Sequence, residues 1–179
     1  MNEKNPFNTL LDYERRLAAI NPSFVEKSVT KQEWTGIGFK VGTLELLGDM
    51  GLIKEIIDPI PYTQIPGTKP WFLGVSNLRG GLISATDLHS FAFNSPAKMT
   101  SQSKWLICGT ERERFALLVD NVLGMKRFYQ EDKLHSFAET ENEEINPFVY
   151  EAYKEQEKVW PVFNILRFIN SQKFLNVAA

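Results

Sequence analysis

Cysteine and histidine are nearly missing from this chain of 179 residues: Cys108 stands alone, and the histidines are His89 and His135. A lone cysteine excludes an internal disulfide and a cysteine-rich zinc site, and it fits a reducing compartment. The histidines lie 46 positions apart, far from the one-turn spacing by which a helix offers two imidazoles to one ion, so no metal is expected. Excess charge of one sign is also lacking. The formal net charge is -2, which leaves no global field to draw nucleic acid or an anionic membrane. No apolar run approaches the roughly 18 residues that suggest a membrane span. Met1-Asn2-Glu3-Lys4-Asn5-Pro6 lacks the apolar stretch of a secretory leader, and the expectation is a soluble, cytoplasmic chain without membrane insertion.

Chemistry-bearing patterns are equally sparse. There is no Gly-x-Ser-x-Gly elbow. No lysine follows a glycine-rich turn in P-loop fashion, since Gly80-Gly81 comes after Arg79 and does not open a helix. Asp87 and Asp120 are not excluded as a carboxylate pair by spacing, but nothing signals a cleft between them. Cys108 sits in an apolar run, where cysteine behaves as a small buried hydrophobe. A small β-barrel, hydrolase-like enzyme using Cys108 is kept as the reading from another class; the expectation is no catalytic residue and no cofactor. Stacking aromatics (Trp71, Phe72, Phe91, Phe93) and cations (Lys69, Arg79, Lys126) are present, but the basic residues are dispersed among acids, unlike a nucleic-acid groove.

What is there is ample core material, 43% hydrophobic and 12% aromatic, enough for one domain or two small subdomains sharing a core. Residues 6–20 predict a helix: Asn5 caps, Pro6 suits the first position, and Phe7, Leu10, Leu11, Leu17 and Ala18 recur at helical spacing. Residues 21–33 read as a connector. From Trp34 onward short runs of branched and aromatic residues alternate with turn signals, which predicts an all-β fold. Strands are expected over 34–41, 43–47, 53–57, 72–75, 82–86, 105–108, 115–119, 125–128 and 159–163, with a charged hairpin tip over 111–114. Residues 131–147 are acidic and read as a solvated loop. Residues 165–176 predict a closing helix whose face of Ile165, Phe168 and Ile169 packs on the body.

A faint duplication runs through this pattern. The run from Trp34 recurs 71 positions later from Trp105, and Thr86–Phe91 finds an echo in Phe163–Phe168, offset by 77 from Phe91 to Phe168. The acidic stretch 131–147 is the natural place for the six extra residues. The most informative segment is strand, turn, strand over 71–88, with Gly80 and Gly81 at the reversal and Asn77 and Arg79 beside it. A guanidinium at such a tip is suited to clamp a carboxylate or a carbonyl of another protein.

Leu52-Ile53-Lys54-Glu55-Ile56, Gln64-Ile65-Pro66, Pro70 to Gly80 with its Asn77-Leu78-Arg79-Gly80 core, Asp87-Leu88, and Ala116 to Val122 resemble, in order and spacing, the CheW-like chemotaxis coupling domains. The likeness covers roughly 34–168. The N-terminal helix, Trp34-Thr35-Gly36-Ile37-Gly38-Phe39 and Pro70 to Val75 resemble more narrowly the PilI type of that family, which serves twitching motility by type IV pili. The resemblance implies two pseudo-symmetric five-stranded SH3-like β-barrels with short terminal helices: a helix and connector over 1–33, then a domain over 34–172 with barrels over 34–95 and 104–168. It implies a non-enzymatic adaptor joining a methyl-accepting chemoreceptor to a CheA-like histidine kinase, cytoplasmic, in arrays held at the inner membrane through receptors. The coupling protein of a flagellar array is the near alternative. Carried over by position, the partner-binding residues are Ile53, Glu55, Asn77, Leu78, Arg79, Gly80, Val119, Asp120 and Val122. Three positions depart from the family pattern: Ser84 in place of proline, Asn164 in place of aspartate, and no glycine around Ala152.

Overall fold

Two hairpins, each led by a tryptophan, seed the two halves of the fold. The computed structural model describes residues 33–109 and 114–179. The expected helix over 6–20, residues 21–32 of the connector expected over 21–33, and residues 111–113 of the charged tip expected over 111–114 lie outside the described residues; Glu33 and Arg114 are strand residues. The first hairpin pairs β1 (Glu33–Val41) with β2 (Leu44–Asp49), and the second pairs β6 (Lys104–Gly109) with β7 (Arg114–Val119). Gly42 turns the first at a φ of 58°, where a Cβ would stand 2.4 Å from the Phe93 ring, so only glycine fits without strain.

The chain then crosses over. β3 (Ile53–Ile57) leaves its own hairpin and pairs with β6, while β8 (Asn121–Tyr129) pairs with β1. The second pair of hairpins returns: β4 (Phe72–Leu78) with β5 (Gly81–Asp87), and β10 (Val149–Glu155) with β11 (Lys158–Phe163). β5 runs parallel to β7, and β11 parallel to β2. A two-residue β9 (Lys133–Leu134) adds to β10. The sheets are therefore β8-β1-β2-β11-β10-β9 and β3-β6-β7-β5-β4. The expected duplication is visible in the register. Trp34 faces Phe128 and Trp105 faces Ile57, partners that are themselves 71 positions apart.

Each repeat ends in a short helix, α1 (Leu88–Phe93) and α2 (Ile165–Ile169), capped by Asp87 and Asn164, 77 positions apart. The second cap explains one departure from the family pattern. Among the described residues the Asn164 side chain accepts only from Arg167 N–H, at 2.8 Å, for which an amide oxygen suffices. Asp87 is buried and accepts twice, from Ser90 N–H at 2.9 Å and Ala97 N–H at 2.8 Å, so both its oxygens are used.

One face of each sheet packs into a shared core with α1 and α2, where Phe39, Leu46, Leu106, Leu117, Phe91 and Phe168 are buried together. Phe91 and Phe168, equivalent by the offset, touch edge to face at 4.9 Å and 84°, a favoured geometry for aromatic pairs. The other face encloses a private cluster, Ile83, Trp105 and Leu118 in one sheet and Leu47, Tyr153 and Trp160 in the other.

Several expectations need correction. The expected closing helix over 165–176 is two pieces, broken at Asn170–Ser171, because Ser171 caps α3 (Gln172–Leu175) through its Oγ and Phe174 N–H at 3.2 Å. Residues 131–147 are not simply a solvated loop. Asn142 is buried, donates to Ala92 O at 2.8 Å and accepts from Glu144 and Ile145 N–H, while Ile145 enters the core. β10 was not expected, its Tyr150-Glu151-Ala152-Tyr153-Lys154 too polar to read as a strand; Ala152 is buried between Leu134 and Pro161. The first sheet has six strands in place of five because of β9. No helix among the described residues is long and apolar enough to cross a membrane.

Two outcomes are expected. Asp87→Asn leaves a buried N–H without its carboxylate and should destabilise by about 1–3 kcal/mol, whereas Asn164→Asp should change stability by about 0.5 kcal/mol or less, both read by urea denaturation. Burial, reinforced by the Glu151 and Asp49 charges, pushes the Tyr153 phenol up to about 12. The folded state then keeps a proton that the unfolded chain loses near pH 10, so stability is whole below about pH 10 and falls as pH rises towards 12. Tyr153→Phe should remove part of that alkaline loss.

Candidate functional site

The β4–β5 hairpin reverses in two residues, between Leu78 and Gly81. The reversal lies at Arg79 and Gly80, at φ 52° and 83°, one position earlier than the Gly80-Gly81 reading. Positive φ at both positions marks the primed turns that match strand twist. Glycine takes this freely, but an arginine there costs about 1–2 kcal/mol. Two contacts hold the strained tip. Asn77 Oδ1 accepts from Gly80 N–H at 2.8 Å, an Asx-type closure. The Arg79 guanidinium meets Glu55 on β3 with two contacts, Nη1 to Oε1 at 2.9 Å and Nη2 to Oε2 at 2.8 Å.

That ion pair joins β3 to the tip of β4, the two end strands of their sheet. The sheet must roll around Ile83, Trp105 and Leu118 to bring these ends together. No backbone ladder closes the roll among the described residues; side chains do, helped by the link between β3 and β4. Thr63 pairs with Val75, and Ser76 Oγ donates to Pro61 O at 2.7 Å. Gly74 permits this approach, since a Cβ there would stand 2.0 Å from Thr63 O. The Arg79 side chain stays 72% exposed against 22% for Glu55, so the tip displays a cation whose direction is set from behind. Beside it Leu82, opposite Asn77, is 74% exposed, an apolar group of the kind that anchors protein contacts.

The other expected partner-binding residues are placed elsewhere. Ile53 and Val119 are buried in the shared core, with Val122 packed against it. Leu78 packs on the private cluster. Asp120 lies where the chain passes from β7 to β8: its N–H donates to Lys40 O at 2.9 Å, and its Oδ2 accepts from Gly42 N–H at 2.5 Å and meets His89 Nδ1 at 3.0 Å. The structure thus brings Glu55, Asn77, Arg79 and Gly80 to one tip and leaves Asp120 apart. Ser84 is paired with Val75 and Phe115, in regular ladder on both sides.

Sequence reasoning missed a second tip. In the other sheet Lys126 on β8 meets Glu155 on β10 at 3.0 and 2.8 Å. Lys126 is 71 positions after Glu55, and Glu155 is 77 after Leu78. Gln156, the counterpart of Arg79, has the same left-handed φ, 56°. The first sheet thus has its own stitch, between the end strand β8 and β10, in which the cation sits on the strand that matches β3 and the carboxylate stands one position before the counterpart of Arg79. Trp160 Nε1 also donates to Glu155 at 3.1 Å, and the Lys126 hydrogen bond holds the Glu155 carboxyl below its ordinary range. The two offsets pointed to Lys126 and Gln156; Glu155 escaped because its counterpart is the apolar Leu78.

Cys108 offers no nucleophile. It is fully buried on β6, and burial pushes its thiol far above its ordinary range, which removes the thiolate that such chemistry needs. Among the described residues no three His, Cys, Asp or Glu side chains come together as metal ligands.

Comparison with known proteins places the site in context. The family model for the CheW-like domain matches residues 35–173. The chain is 30% identical to the protein PilI of Pseudomonas aeruginosa over 175 residues, 98% of this chain and 97% of that protein. It is 30% identical to a probable chemotaxis protein CheW of Rhizobium etli over 100 residues, 56% of this chain and 64% of that one. In fold it resembles the crystal structure of the scaffolding protein TtCheW from Thermoanaerobacter tengcongensis, with TM-score 0.68, 18% identity, and coverage of 81% of this chain and 93% of that one.

The stitch itself is open to measurement. A double-mutant cycle on Glu55→Ala and Arg79→Ala, read by chemical denaturation, should give a coupling of about 0.5–1 kcal/mol, in the range of well-formed exposed pairs. Zero coupling would show that the pair does not form in solution.

Proposed function

The chain belongs to the CheW-like family, and we propose that it is a non-catalytic adaptor of a chemosensory system that drives type IV pili. It holds a methyl-accepting chemoreceptor and a CheA-like histidine kinase in fixed relative geometry, in the cytoplasm, within arrays tied to the inner membrane through the receptor. The observation that carries this reading is the preset tip, an exposed guanidinium aimed by Glu55 and flanked by the bare Leu82 side chain. A charged, directional group beside an apolar anchor suits recognition of a protein surface and performs no bond chemistry.

Similarity to PilI along almost the whole chain supports the pilus system over a flagellar one, because the match to the Rhizobium protein is much shorter. The oppositely charged second tip supports two unlike neighbours. Two tips in one body, one displaying Arg79 and the other Glu155, select different partners by charge complementarity. Signals then pass as shifts in the populations of the bound kinase, through packed interfaces. Modest individual contacts gain durability from multivalency in the array.

The test exploits the stitch. Exchanging the charges, with Glu55→Arg and Arg79→Glu together, keeps the ion pair while inverting the displayed charge. Capture of kinase and receptor by the tagged adaptor from its native cell should fall at least about tenfold, as for an interface hot spot, with the melting temperature near wild type. Unchanged capture would remove the tip from the interface. Deletion of the gene should stop twitching; loss of swimming in its place would assign the protein to a flagellar array.

A further inference from the structure

The links that close the two rolled sheets differ in length, and the shorter one leaves an apolar surface to be covered from elsewhere. Thr63 pairs with Val75 and Leu134 with Ala152, so these positions correspond. Trp71 and Phe148 correspond too, since their C=O groups accept from Asp87 N–H and Asn164 N–H at 2.8 and 2.7 Å. Eight positions lead from Thr63 to Trp71, against fourteen from Leu134 to Phe148. The longer link sends its own Ile145 into the shared core, whereas no residue of 64–70 reaches it. In the first repeat a distant segment, 171–179, lies over Trp71 instead.

The hold on this segment is slight. Phe174 stacks on Trp71 at 5.8 Å and 18°, and meets Phe168 and Phe115 at 4.8 and 6.3 Å. Beyond it Val177 O accepts from Lys69 N–H at 2.8 Å, and Ala179 N–H donates to Gly67 O at 3.0 Å, a single strand-like bridge between Thr68 and Ala178. Lys173 adds an exposed ion pair with Glu144. No residue of 171–179 is buried, while Trp71, Phe115 and Phe168 beneath it are. One half-buried ring and two backbone bonds at the surface mark a segment that opens without unfolding the body. A hinge is present at Asn170–Ser171, where Ser171 caps α3 separately from α2.

A groove that releases this segment can also receive it from outside. An aromatic anchor followed by an added strand is a recurring mode of peptide docking, and the segment seen to fit is the chain's own. The same segment from a second copy makes the same contacts, so exchange gives up none of them and costs only the freedom lost on association.

We propose that residues 171–179 are a detachable strap, and that the groove over Trp71, Phe115 and Phe168 receives the strap of a second copy, joining two chains by exchange. The groove is separate from the Glu55–Arg79 tip and does not depend on the adaptor reading.

The probe is a fluorescent synthetic peptide of residues 171–179, titrated into the full chain and followed by anisotropy. Wild type should bind it weakly, because its own strap occupies the groove. Phe174→Ala should bind at least about tenfold more tightly. Ala179→Pro, which deletes the donor to Gly67 O and leaves the core untouched, should bind about three- to tenfold more tightly. A peptide carrying Phe174→Ala should not bind. Wild type alone should pass from monomer to dimer in sedimentation as its concentration rises, and excess unlabelled peptide should return it to monomer. No saturable binding by either variant, or one affinity for all three chains, would overturn the groove as a docking site. A wild type that stays monomeric, or a dimer that the peptide leaves intact, would overturn the exchange.

Discussion

The exchange of one strand between repeats is the constraint on which the rest of this structure depends. β3 completes the sheet begun by the second hairpin, and β8 completes the sheet begun by the first. Neither repeat can satisfy its own strand edges, because one of the two partners of each leading tryptophan strand comes from the other half. An unpaired edge exposes backbone donors and acceptors, which is costly when buried and sticky when not. The two sheets therefore form together, and the shared core, with Phe91 against Phe168, lies between them. Surfaces presented by such a body keep a fixed mutual geometry, as an adaptor requires.

Rolling brings β3 to the tip of β4 in one sheet and β8 to β10, just inside the short edge strand β9, in the other, and an ion pair stands at each junction. Exposed pairs contribute little to stability. Their value lies in direction: Glu55 aims Arg79, and Lys126 aims Glu155. Glu55 and Lys126 are equivalent by the offset of 71, but their partners are not: Glu155 matches Leu78, and Arg79 matches Gln156.

Burial separates structural from displayed residues in the stretches that resemble the family. Ile53, Val119 and Val122 belong to the core, and Asp120 ties the crossover to the first hairpin turn. Asp87 and Asn164 show the same logic at finer scale: a carboxylate stands where two N–H groups need acceptors, an amide where one does.

Most strand positions and the duplication were legible in the sequence because they rest on local signals: branched and aromatic runs, glycines near reversals, and recurrence at offsets of 71 and 77. β10 was not, since its tyrosines and charged residues face neighbours from distant segments that make polar residues affordable there. The burial of Asn142 escaped for the same reason, its partner Ala92 being fifty positions away. At the candidate site the residue types and the hairpin were readable, with the reversal one position earlier than the two glycines suggest. The sequence by itself determined an all-β, duplicated, CheW-like chain with a charged hairpin tip. Only the tertiary structure decided which strands change sheets, which family-like residues face outward, and that Arg79 is held by Glu55, because these are contacts between segments whose separation no local pattern encodes.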